Sequence, residues 1–74
     1  MADRDSAFAR KLRGLRSEHD MSQEELAEAV GASAATITNW ENGETMPTLK
    51  TAIKLADLFG VSIDRLAGRA PIPT

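Results

Sequence analysis

Apolar residues fall along this chain in short bursts at helical spacing, each closed by a capping or turn residue. Phe8, Leu12 and Leu15 recur at i, i+4 and i+7, which predicts a first helix from Ser6 to His19 with one face turned to a core. Ser22 stands three residues before Glu25, the spacing of a capping box, so a second helix starts at Gln23. Leu26, Ala27 and Val30 give it an apolar stripe, and Gly31 follows where a helix end wants a left-handed residue. Ser33 caps a third helix from Ala34 to Asn42, closed by Asn42-Gly43. Only Gly31, Ala32 and Ser33 separate the second helix from the third, too little chain for a flexible linker. Thr48 opens a fourth helix that ends at Gly60. Its Leu49, Ala52, Ile53, Ala56 and Phe59 predict a core stripe, with Leu55 at the margin and Leu58 about 180° from Leu49. Ser62 caps a fifth helix bearing Ile63, Leu66 and Ala67, and Pro71 and Pro73 make residues 69–74 an extended tail.

The third helix is patterned unlike the others. At about 100° per residue, with Ile37 inward, Ala34, Trp40 and Glu41 fall within roughly 60° of it, while Ala35, Thr38, Asn39 and Asn42 point away. The outward face is small, hydrogen-bonding and uncharged, whereas a face meant for solvent is more often rich in Glu and Lys. Small residues permit close approach to another surface. Asn presents a donor and an acceptor together, which suits the N6 and N7 edge of adenine in the major groove. Ala and Thr are also common surface fillers, so the face by itself leaves an ordinary exposed helix open.

The run from Ser22 to Gly43, followed by Pro47 and by LADLFGVSIDRLAG, resembles the XRE family, the Cro and phage-repressor type of helix-turn-helix DNA-binding domain. The agreement extends from about Leu12 to Gly68 through Ser22-Gln23, Leu26-Ala27, Gly31, Ile37, Glu41-Asn42-Gly43, Pro47 and Gly60-Val61-Ser62. The resemblance implies an all-α, five-helix lambda-repressor-like domain over residues 6–68, usually dimeric, that reads double-stranded operator DNA with the third helix. On that reading Ala34, Ala35, Thr38 and Asn39 face bases, while Gln23, Ser33, Asn42 and Lys50 hold the DNA backbone. The phosphate role of Gln23 is implied by the resemblance, and the free N–H groups at its helix start agree with it. Arg16 lies at the inward edge of the first helix and Glu41 faces inward on the third, so the two are expected to form an ion pair; the resemblance implies the same pair. Leu58 and Ile63, apolar and directed outward, are the candidate homodimer contacts.

Composition narrows the remaining choices. Seventy-four residues make one small domain, preceded here by an arm over residues 1–5. The chain has no cysteine and a single histidine, so neither a disulfide nor a structural zinc site supports the core, and no cofactor or metal is expected. Ser17, His19 and Asp20 are too close in sequence at a helix end to converge as a catalytic triad, and nothing else supplies a nucleophile and base, so an enzyme is not expected. Asp20 stands at a position suited to a left-handed residue. No stretch is apolar enough to span a membrane and MADRDSAFAR lacks the apolar run of a secretory signal, which gives a cytoplasmic expectation. The formal charge of −2 runs against phosphate binding, but it is segregated. Arg4, Arg10, Lys11, Arg13 and Arg16 lie in the first segment and Lys50 and Lys54 in the fourth helix, whereas Glu24, Glu25 and Glu28 lie on the second. The acidic balance, with Glu44 in the loop after the third helix, favours the alternative: a protein-interaction or antitoxin-like module with weak DNA affinity.

Overall fold

The computed structural model describes residues 7–68 of the 74, so the arm over residues 1–5 and the tail over 69–74 lie outside the described residues. Its helices are α1 (Ala7–Glu18), α2 (Gln23–Val30), α3 (Ala34–Glu41), α4 (Leu49–Phe59) and α5 (Ile63–Leu66), and no strand occurs among the described residues.

Local chemistry sets nearly every boundary. Ser22 Oγ accepts from the Glu25 N–H at 3.0 Å while Glu25 Oε1 accepts from the Ser22 N–H at 2.8 Å, the reciprocal pair that opens α2. Ser33, Thr48 and Ser62 do the same half of this work for α3, α4 and α5, each accepting from the backbone N–H three residues on. Gly31 closes α2 at φ 74°, a left-handed conformation that L side chains rarely adopt. Asp20 has φ 53° after α1, and the Met21 N–H turns back to the Arg16 carbonyl at 3.1 Å.

The fully buried large side chains are Leu12, Leu26, Ile37, Leu55 and Leu66, one from each helix. Each helix therefore delivers its own wedge to a single core. α3 packs on both α1 and α2, α4 on α2 and α5, and α5 returns to α1. His19 closes one edge, its ring centroid 5.0 Å from that of Phe59 and tilted by 59°.

The core face of α4 differs from the sequence expectation. Leu55, expected at the margin, is fully buried beside Ala56 and Phe59, whereas Leu49 and Ile53 are 69% and 46% exposed. Apolar residues wrap an arc of about 220° around this helix, more than a core can take, and the arc centred on Leu55 and Phe59 is the one that meets α2 and α5. Leu49 and Ile53 are left on one flank and Leu58 on the other.

Candidate nucleic-acid interface

Three residues, Gly31, Ala32 and Ser33, turn the chain from α2 into α3. Behind α3 its buried side is Ile37, Trp40 and Glu41. In front, Ala35 and Asn42 are exposed and Thr38 and Asn39 half-buried, with Ala34 half-buried at the start of the helix. None of these five side chains is ionisable. Ser33 and Lys50, at the starts of α3 and α4, are both exposed.

A charge lies directly behind this neutral face. Glu41 is 3% exposed, and Arg16 meets it with Nε donating to Oε2 at 2.6 Å and Nη2 donating to Oε1 at 3.2 Å. The third arm of the same guanidinium, Nη1, donates to the Met21 carbonyl at 2.8 Å. Arg16 thus joins α1, the approach to α2 and the end of α3 in one fork. Its pKa is held above the ordinary arginine value: the hydrogen bond to Glu41 raises it most, partial burial lowers it, and the Glu41 charge raises it further. Arg13, one turn earlier on α1, donates to the backbone carbonyl of Glu41 and so satisfies one of the carbonyls left unpaired at the end of α3. Sequence reasoning counted Arg13 only among the basic residues of the first segment; its spacing of three from Arg16 on the same helix face was the available signal for this bond.

Gln23 is placed differently from a purely outward phosphate ligand. Its Nε2 donates to Glu41 Oε1 at 3.0 Å and its Oε1 accepts from the Thr38 hydroxyl at 3.0 Å. The side chain therefore bridges α2 to α3 and continues the network from Arg16 through Glu41 to Thr38. Among the described residues, every buried side-chain nitrogen and oxygen has a partner.

The remaining sequence candidates do not form one group. Ile63 lines a surface cavity of about 300 Å³ with Phe8, Met46, Pro47, Leu49 and Leu66, while Leu58 is not part of its lining. The cavity thus takes in one of the two expected dimer contacts and not the other. Among the described residues no cluster of His, Cys, Asp and Glu is placed to hold a metal ion, and no helix is long and apolar enough to cross a membrane.

The arrangement of α2, a three-residue turn and an outward neutral α3 matches a known family model, described as helix-turn-helix, over residues 10–66. The chain belongs to the XRE-type helix-turn-helix family. Within it, the chain is 42% identical over 59 residues to the cryptic phage CTXphi transcriptional repressor RstR of Vibrio cholerae, covering 80% of this chain and 53% of the repressor. It is 44% identical over 54 residues to an uncharacterized HTH-type transcriptional regulator of Methanocaldococcus jannaschii, covering 73% of this chain and 82% of that one. Among solved structures, the P22 c2 repressor in complex with a synthetic operator superposes with a TM-score of 0.76 at 29% identity, over 80% of this chain and 89% of that chain. The chain thus spans about half the length of the Vibrio repressor but most of the other two. These relatives are named as a transcriptional repressor and a transcriptional regulator, the P22 neighbour is a repressor bound to operator DNA, and this helix-turn-helix domain has the lambda- and P22-repressor fold.

Proposed function

We propose that this protein is a sequence-specific repressor that binds an inverted-repeat operator as a homodimer, with α3 in the major groove of double-stranded DNA. The observation that carries the reading is the uncharged outward face of α3, set on an ion pair whose carboxylate is buried and which ties it to α1. Ala34 and Ala35 allow close approach, and Thr38 and Asn39 bring hydrogen-bonding groups to base edges. Ser33, Asn42 and Lys50 border that face and meet phosphates. An amide nitrogen carries two N–H donors, so Gln23 retains a second one for a phosphate beside the free N–H groups at the start of α2. The Vibrio relative's description as a transcriptional repressor supports repression as the outcome.

Two protomers on an inverted repeat would place equivalent half-sites about one helical turn, roughly 34–36 Å, apart. The homodimer would form through apolar surface that includes Ile63 and Leu58, both partly exposed. The test is selection of bound fragments from a randomised duplex library at two salt concentrations. Enrichment of an inverted repeat supports the reading, and no enrichment even at low salt rejects it.

A second reading keeps the fold but gives it a protein partner. It is favoured by the net charge of −2 and by the cavity between Met46, Leu49 and Ile63, where Met46 and Leu49 are 63% and 69% exposed. An antitoxin-like protein would combine the two activities. Substitutions in the cavity that spare DNA selection but abolish partner binding would separate them.

A further inference from the structure

The Thr38 hydroxyl has one hydrogen, and two acceptors on the protein side are in reach of it: Gln23 Oε1 at 3.0 Å and the Ala34 carbonyl at 3.1 Å. The first acceptor is fixed by the core. Glu41 Oε1, already bonded to Arg16, faces the Gln23 amide at 3.0 Å, and a carboxylate in an ion pair accepts without donating. The Gln23 atom turned to it must be nitrogen, which leaves the amide oxygen turned to Thr38. That oxygen and the Ala34 carbonyl are both acceptors, so the Thr38 hydrogen points inward whichever of them it takes. The half-buried side chain then offers the outer surface of α3 a methyl group and an oxygen lone pair. The Arg16–Glu41 pair, through Gln23, thus leaves Thr38 only acceptors on its protein side.

We propose that Thr38 is an acceptor-only reader, selecting a base that carries an exocyclic amine in the major groove: adenine through N6 or cytosine through N4. This rests on the reading of α3 as the DNA-facing helix. Guanine O6 and thymine O4 would set oxygen against oxygen, with no hydrogen between them. Phosphate oxygens are acceptors as well, so the same oxygen is unsuited to the DNA backbone. Without the inward commitment, a threonine hydroxyl rotates to suit either kind of partner.

The experiment is library selection with the full chain, wild type beside T38V and T38S, followed by binding of the selected duplex and its des-amino analogues, in which hydrogen replaces the exocyclic amine. The expected result is one base pair at which T38V alone loses discrimination by roughly 2- to 12-fold, the size of one net hydrogen bond, with the amine of that pair, adenine N6 or cytosine N4, as the group read. Preferences elsewhere in the site stay unchanged in T38V, which shows that its fold is intact, and T38S keeps the preference because it keeps the hydroxyl. Replacing the responsive adenine by purine, or the cytosine by 2-pyrimidinone, weakens wild type by the same factor and leaves T38V unaffected. The inference is overturned if the des-amino duplex weakens both proteins equally, as it would were guanine O6 or thymine O4 of the same pair the group read, or if T38V retains the preference, since valine preserves only a methyl contact. If wild type enriches no sequence, the DNA reading falls and this inference with it; an enriched site with a T38V-insensitive profile overturns the inference alone.

Discussion

Arg16 clasps Glu41 through two nitrogens, at 2.6 and 3.2 Å, and so ties the last turn of α3 to the last turn of α1. α3 is held by a charge pair at its rear, and its outward surface stays neutral.

Removing one partner of that clasp should be costly. Arg16→Ala strands a carboxylate that is 3% exposed, leaving Gln23 as its side-chain donor. The expected destabilisation is ~3–5 kcal/mol, read as a fall in the urea midpoint at constant m-value. Replacing Arg16 and Glu41 together by methionine should recover most of that loss, because no buried charge is then left unpaired. An unchanged midpoint in Arg16→Ala would show that the clasp carries no stability.

The pH dependence of this contribution has a definite sign. The guanidinium pKa is raised in the folded state, so the folded protein holds that proton more tightly than the unfolded chain. The stabilisation is complete below the unfolded-state value, already strongly alkaline, and fades only as pH climbs through the folded one. The stability difference between wild type and Arg16→Met should therefore not shrink as pH rises from neutral to roughly 10. Urea titrations of both proteins across that range check this.

Asn39 lies half-buried on the outward side of α3, and its backbone carbonyl accepts from the Glu44 and Thr45 N–H groups. Asn39→Ala preserves those backbone bonds while deleting the side-chain amide. Discrimination at one operator position should fall by ~1–3 kcal/mol with little change in thermal midpoint. Equal loss on every sequence would make Asn39 a backbone contact instead.

Lys50, exposed at the start of α4, tests the electrostatic half of binding. If it neutralises one phosphate, Lys50→Ala weakens binding to all sequences alike and lowers the slope of log K against log salt by about 0.9. An unchanged slope places Lys50 off the DNA.

Ile63 and Leu58 discriminate between faces for self-association. If the dimer uses the cavity side, Ile63→Asp should shift sedimentation at micromolar concentration to the monomer while Leu58→Asp leaves the dimer in place. The reverse pattern would assign the contact to the opposite flank of α4.

The turn from α2 to α3 is legible in the sequence because its signals are local. Ser22 with Glu25, Gly31, and Ser33 each act on backbone groups within a few residues, so their roles do not depend on the rest of the fold. The inward faces of Arg16 and Glu41 are legible for a related reason: helical spacing places each relative to neighbours on its own helix. α4 is harder to read because its apolar residues cover more than half its circumference, and tertiary packing alone decides that Leu55 goes in and Leu49 stays out. Gln23 is harder still. Its residue type is equally suited to phosphate, base or protein, and only the approach of α3 brings Glu41 and Thr38 within reach of its amide.

Gly68 turns at φ +77° directly against Ala7, so closely that a Cβ placed on it would meet the Ala7 Cβ at 2.6 Å. The two ends of the helical body therefore touch. A short peptide bridge from 68 back to 7 could close this domain into a ring without stretching any helix, restricting the unfolded chain while leaving the folded one undisturbed. The same adjacency makes Gly68 intolerant of any side chain, so a ring of this kind needs its glycine retained at the seam.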